Sequence, residues 1–142
     1  MQEEVKDRGS YLLVLRFRDK RFIEIGKLGK IMIHEGYYIY VGSAMSNLTA
    51  RIKRHRQKRK KMHWHIDYLS RAADEFLSIP IRSSQRQECE IAHALSSIMK
   101  QGASGFGSSD CRCVTHLFWD KSNPLHMESF HDVMQRFMMR HP

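Results

Sequence analysis

Short apolar runs broken by glycine and charge occupy the first third of the chain, and apolar residues at helical spacing dominate the remainder. Tyr11-Leu12-Leu13-Val14-Leu15-Arg16-Phe17, with Gly9 just ahead of it, predicts a well-buried strand. Phe22-Ile23-Glu24-Ile25 begins a second strand, and Gly26-Lys27-Leu28-Gly29-Lys30 predicts a turn. Ile31-Met32-Ile33 and Gly36 to Val41 are further extended segments, expected to join the first two in one sheet. Strand alternation puts Tyr38 and Tyr40 on one face and Ile39 on the other. At Asn47 the period changes: Leu48 and Ile52 are one helical turn apart, with Asn47 as the expected cap. Further helices are predicted over 64–73 and 85–99, the latter with Ile91, Leu95 and Ile98 as its apolar stripe.

Phe76 to Ile81 reads as an extended piece closed by Pro80, and Val114 to Trp119 as a return to strand. Between them, residues 102–109 are dense in glycine, serine and alanine and predict a loop. Asn123-Pro124 starts a C-terminal helix over about 123–140, with Phe130, Val133, Met134 and Phe137 on one face. No repeat and no second domain is evident. The expected architecture is α+β, a small, mainly antiparallel sheet flanked by helices, in a single domain over 1–142.

Composition narrows the functional classes. With 142 residues and a hydrophobic fraction of 42%, the chain can bury a core without staples. Lys and Arg outnumber Asp and Glu by 24 to 15, which predicts attraction to a polyanion. The excess is concentrated: eight of the eleven residues from Arg51 to Lys61 are basic. Lys53, Arg54, Arg56, Lys58, Arg59, Lys60 and Lys61 are therefore the expected nucleic-acid contacts. Three cysteines do not make a disulfide framework. An acidic opening without an apolar core, and the absence of any apolar run near ~20 residues, predict a cytoplasmic protein that neither carries a secretory signal nor crosses a membrane.

The candidate chemistry centres on tyrosines, an arginine and a histidine. Arg51 and His55 are four residues apart, so a helix presents both on one face. Arginine offers a planar fork of donors suited to phosphate oxygens, and histidine can relay a proton beside it. The strand ending Tyr40-Val41-Gly42-Ser43-Ala44 lies just upstream. His63, His65 and Asp67 form a second group, either bordering a site or held as a structural histidine oriented by a carboxylate. Cys111, Cys113 and His116 are a third, which either shapes the floor of the pocket, with Ser109 and Asp110 capping the loop, or binds zinc, whose structural sites want four ligands, with Cys89 as the fourth.

Gly9-Ser10-Tyr11, then Tyr40-Val41-Gly42-Ser43-Ala44, then Arg51 and His55 resemble the motif series of GIY-YIG nucleases. The closer likeness is to the Uri-like branch, small domains sometimes fused to endonuclease-III-type repair glycosylases. It is carried by Gly36 to Ala44, His63-Trp64-His65-Ile66-Asp67-Tyr68-Leu69, Glu88-Cys89 and the block from Gly105 to Cys111, and covers about residues 9–119. The resemblance implies a DNA endonuclease, possible DNA-repair partners, RNA as a substrate not excluded, and one divalent metal, Mg²⁺ or Mn²⁺. It implies that Tyr11 and Tyr40 fill the two motif tyrosine roles, one of them helping activate water, that Arg51 stabilises phosphate charge, that His55 assists proton transfer and that a glutamate holds the metal. Glu88 and Glu90 both qualify; Glu88 is preferred because it lies on the side of Ile91 and Ala92. A non-catalytic binding module that retains the fold is the alternative. From Gly42 to Arg51 the step is nine residues, one longer than in the homing enzymes of the family, which leaves the phase of the helix open.

Overall fold

In a computed structural model, residues 6–104, 106 and 113–139 are described. The two longest strands, β1 (Gly9–Phe17) and β4 (Gly36–Ala44), pair antiparallel from Gly9 opposite Ala44 to Phe17 opposite Gly36. Both are buried almost throughout, because each carries apolar side chains on both faces and neither lies at an edge. β5 (Glu75–Arg82) lies along the other side of β1, and β7 (Leu117–Asp120) along the other side of β4. The two-residue β6 (Lys100–Gln101) completes a five-stranded antiparallel sheet in the order β5-β1-β4-β7-β6. Pro80 does not close β5 as expected. The strand continues to Arg82, since an edge position tolerates a residue without an amide donor.

The single sheet expected of the first segments is two. β2 (Arg21–Glu24) and β3 (Lys30–Ile33) form a separate hairpin, with Arg21 opposite Ile33, around a 3-10 turn at Gly26–Leu28. Gly26 at φ 45° and Gly29 at φ 75° occupy the left-handed region that this turn requires.

Helices cover both faces of the main sheet. α1 (Leu48–Arg56) and α2 (His65–Ala72) contribute Leu48, Ile66 and Leu69 to a core with Tyr11, Leu13, Leu15, Phe17, Tyr38 and Tyr40. α3 (Glu88–Ser96) and α4 (Glu128–Met138) place Ile91, Leu95, Phe130, Val133 and Phe137 against Leu12, Val14, Ile39 and Val41. The alternation of β1 and β4 therefore divides the interior into two layers. The architecture is α+β, an antiparallel sheet between helix pairs. Among the described residues, no helix is long and apolar enough to cross a membrane.

Two helix starts differ from expectation. Asn47 precedes α1 but its side chain makes no cap, its backbone being left-handed at φ 54°. Asp7 does the work from outside the helix: its carboxylate accepts from the Thr49 amide at 3.1 Å and the Thr49 hydroxyl at 2.7 Å, and its carbonyl accepts from the Leu48 amide. Asn123 caps a 3-10 turn (Pro124–His126), accepting from the Leu125 amide at 3.0 Å, and α4 begins after it at Glu128. α3 is shorter than predicted, starting at Glu88 rather than Gln85.

Candidate active site

The beginning of β1 and the end of β4 lie opposite each other, with Tyr11 facing Gly42 across the ladder. A Cβ on Gly42 would sit 2.4 Å from Tyr11 Cζ and 2.5 Å from its hydroxyl. Glycine at 42 thus lets the Tyr11 ring lie flat over β4 toward α1. There the Tyr11 hydroxyl meets His55 Nε2 at 2.8 Å, in a fully buried hydrogen bond. On the far side of the imidazole, Nδ1 is 3.6 Å from Asp67 Oδ1, too long for a formed hydrogen bond but well within the carboxylate's field. Nδ1 has no hydrogen-bond partner among the described residues.

Asp67 is the hub of this arrangement. It sits in the first turn of α2, where a carboxylate complements exposed backbone N–H groups. Its Oδ2 accepts from the amides of His63 at 2.8 Å and Trp64 at 2.9 Å, and both oxygens accept from the Arg54 guanidinium at 2.9 and 3.0 Å. Burial alone would raise the Asp67 pKa. The adjoining His55 ring, Arg54 and the two amides outweigh it and hold the carboxyl well below its ordinary value, so it is an anion. For His55 the balance goes the other way: burial pushes its pKa down by more than Asp67 pulls it up, so the ring is neutral near pH 7. A neutral ring with its N–H turned to the Asp67 anion leaves Nε2 as the acceptor for the Tyr11 O–H. Burial raises the pKa of both Tyr11 and Tyr40, and both phenols keep their protons.

Arg51 approaches the same phenol. Its Nη1 donates to the Ser43 carbonyl at 2.9 Å, its guanidinium lies 4.8 Å from the Trp64 ring centroid, and its charge lowers the Tyr11 pKa against the effect of burial. Arg51 and His55 therefore converge on Tyr11, which settles the phase of α1 left open by the nine-residue step. Glu88 comes from the opposite layer. The chain leaves β5 opposite Gly9 and enters α3 a short step later, which brings Glu88 near that end of the sheet. Its side chain is 24% exposed, and its charge raises the pKa of both Tyr11 and Tyr40. Glu90 is exposed to solvent.

Other predicted residues separate from this group. His63 is exposed, its ring edge-on to Trp64, and His65 packs edge-on to Phe106 instead of joining Asp67. The carboxylate-oriented histidine is His55, a pairing across the two helices. Three of the expected nucleic-acid contacts have partners within the protein, Lys58 while itself exposed. Arg54 is held by Asp67 and the Lys61 carbonyl, Lys58 donates to the Arg71 and Ala73 carbonyls, and Lys60 to the His55 carbonyl and Ser70 hydroxyl. Burial lowers the Lys60 pKa to about 8. Lys53, Arg56, Arg59 and Lys61 remain exposed. Trp64 and Ser43, which hold Arg51, were not singled out by sequence; the aromatic inside His63-Trp64-His65 was the available signal.

Cys111 lies outside the described residues, as do Asp110 and residues 105 and 107–109 of the small-residue loop. Cys113 and His116 do come together, and their third neighbour is Cys89 of α3: the ligand atoms of the three lie within 4.8 Å of one another. A separate cleft of about 430 Å³ opens between β3 and the β6–β7 edge, lined by Ile31, His34, Tyr38, Lys100 and Trp119 among others, away from Tyr11 and His55.

The fold and this buried Tyr–His–Asp chain define an α+β protein with polar side chains enclosed together against one face of its sheet. Residues 10–139 match the family described as Domain of unknown function DUF123, and the chain belongs to it. No curated protein and no solved structure matches the chain.

Proposed function

We propose that the protein is a metal-dependent endonuclease that hydrolyses phosphodiester bonds in DNA. The observation that carries the reading is the 2.8 Å hydrogen bond from Tyr11 to a neutral His55 backed by the Asp67 anion, with Arg51 and Glu88 acting on the same phenol. In this reading His55 draws the Tyr11 proton as Tyr11 takes one from water, and Asp67 stabilises the imidazolium that forms. The water oxygen adds to phosphorus, the bond to the leaving oxygen breaks, and that oxygen is protonated from solvent. Arg51 donors neutralise charge gathering on the phosphate oxygens. Tyr40, which retains its proton, is a donor to the water or a phosphate oxygen.

One carboxylate completed by waters and a substrate phosphate is a normal Mg²⁺ donor set, so Glu88 fits the role of metal ligand. A bound Mg²⁺ or Mn²⁺ would polarise the phosphate and stabilise the leaving oxygen. The exposed Lys53 and Arg56 of α1, and Arg59 and Lys61 just after it, suit backbone phosphates. A second reading, a DNA-binding module without catalysis, is favoured by the depth of the group: Tyr11 is 2% and His55 1% exposed.

Cleavage of branched, damaged and single-stranded DNA with Mg²⁺ or Mn²⁺, compared between the parent and Arg51→Ala, decides between the two. The endonuclease reading expects Arg51→Ala to cut about 100- to 1,000-fold more slowly with nearly unchanged DNA affinity. A parent protein that binds these DNAs and cuts none of them would leave only the binding module.

A further inference from the structure

The proposed nuclease chemistry makes no use of Cys89, Cys113 or His116, although they converge from two separate parts of the fold. Cys89 is in the first turn of α3, while Cys113 and His116 are three residues apart in the segment that leads into β7. Cys89 Sγ is 3.8 Å from His116 Nε2, and all three ligand atoms lie within 4.8 Å of one another. Zinc bonds of about 2.3 Å to sulfur and 2.0–2.1 Å to nitrogen, arranged tetrahedrally, require sulfur–nitrogen separations of about 3.6 Å and sulfur–sulfur separations of about 3.8 Å. The Cys89–His116 separation is thus within a few tenths of an ångström of what one zinc ion requires, and the remaining separations fall within about an ångström of it. The chemistry of the donors agrees: two thiolates and an imidazole select zinc over Mg²⁺ or Mn²⁺, which prefer oxygen.

We propose that Cys89, Cys113 and His116 form a zinc site that ties α3 to the segment entering β7. The His116 backbone is already fixed, its amide donating to the Phe106 carbonyl at 2.7 Å and its carbonyl accepting from the Val41 amide at 3.0 Å. That anchoring leaves the imidazole little freedom to search for a ligand, so less order has to be imposed on binding. Three protein donors leave the fourth position of zinc for a further donor. A cleft lined by Ala92, His93, Ser96, Cys113, Thr115 and Phe118 brings solvent to Cys113, so water can supply it. Cys89 directly follows Glu88 in α3, so zinc here also fixes the helix turn that carries the Glu88 carboxylate. The site does not depend on the nuclease reading; its donors are soft where that reading requires an oxygen ligand.

Two measurements on the whole chain test it. Protein purified without chelator should carry close to one equivalent of zinc by elemental analysis. After chelation and titration with Co²⁺, the intact chain should develop a thiolate-to-cobalt charge-transfer band and tetrahedral d–d absorption. Cys89→Ser and Cys113→Ser should each lose the band, and His116→Gln should shift it. Glu88→Gln should retain it, even where Mg²⁺-dependent cleavage is lost. A folded wild-type protein with neither zinc nor the cobalt band overturns the proposal. So does a band that survives Cys89→Ser, since the metal would then be held by other donors, or a Cys89–Cys113 disulfide found in the non-reduced protein by mass spectrometry.

Discussion

The two faces of the central sheet are built from the same two strands and solve different problems. Toward α3 and α4, β1 and β4 present Leu12, Val14, Ile39 and Val41, which meet Ile91, Leu95, Phe130, Val133 and Phe137. Toward α1 and α2 the same strands present Tyr11, Leu13, Tyr38 and Tyr40, and the helices bury His55 and Asp67 among them. The first face is stabilised chiefly by removal of apolar area from water. The second also encloses charge and polar atoms, which is tolerable only because Asp67 is met by one guanidinium and two amides. The face toward α3 and α4 is the more apolar of the two, and the face toward α1 and α2 holds the Tyr11–His55–Asp67 group in place.

The sharpest break in that comparison comes from one substitution on each face. Asp67→Ala strands two amides just ahead of α2 and the Arg54 guanidinium, which at 29% exposure can partly rehydrate, and should cost about 3 kcal/mol in urea unfolding. Leu95→Ala opens a cavity on the other face and should cost a similar amount, about 3 kcal/mol. The two should part in function: at temperatures where both are folded, Leu95→Ala should cut DNA near the parent rate, whereas Asp67→Ala should be severely slowed. Equal loss of cleavage in both would erase the proposed division of labour.

Acid should act on the polar face first. The folded pKa of His55 is lowered from its ordinary 6.5, chiefly by burial, so the unfolded chain takes up that proton more readily than the folded one. The associated stability is complete above about pH 6.5 and declines as pH falls through the folded value. Asp67, also lowered, adds a second loss that begins only below about pH 4. Urea midpoints measured against pH should therefore fall in two steps, and His55→Gln should shrink the upper one, which buried His116, its pKa also lowered by burial, shares. A single step at low pH in both proteins would contradict the assignment of a neutral buried His55.

The smallest effect on stability belongs to the exposed cations. Replacing Lys53, Arg56, Arg59 and Lys61 by Gln should change stability by no more than about 0.5 kcal/mol each. DNA affinity should fall, and the slope of log affinity against log salt should drop by about three to four. An unchanged salt slope would mean that DNA does not lie along this side of α1.

Several elements could be read from the chain because each depends on a local pattern. The alternation of Tyr38, Ile39 and Tyr40 divided them between the two layers, and Phe130, Val133, Met134 and Phe137 marked the buried face of α4. The four-residue step from Arg51 to His55 put both on the inner side of α1. Other features were not legible. Nothing in the pattern of 21–33 told a separate hairpin from two more strands of the main sheet, because alternation reports burial and not the identity of the neighbour. The basic run from Arg51 to Lys61 looked uniform, yet Arg54, Lys58 and Lys60 are committed to partners 10 to 15 residues away within α2 and its end.

By itself, then, the sequence determined the elements, their buried faces and the residue types available for chemistry, since strand and helix periods are set by backbone geometry over a few residues. Only the tertiary structure decided that Asp67 stands behind His55, that Gly42 makes room for Tyr11, and that Cys89 meets Cys113 and His116. Those relations join residues tens of positions apart, and they are set by how the layers pack, to which no local repeat along the chain is sensitive.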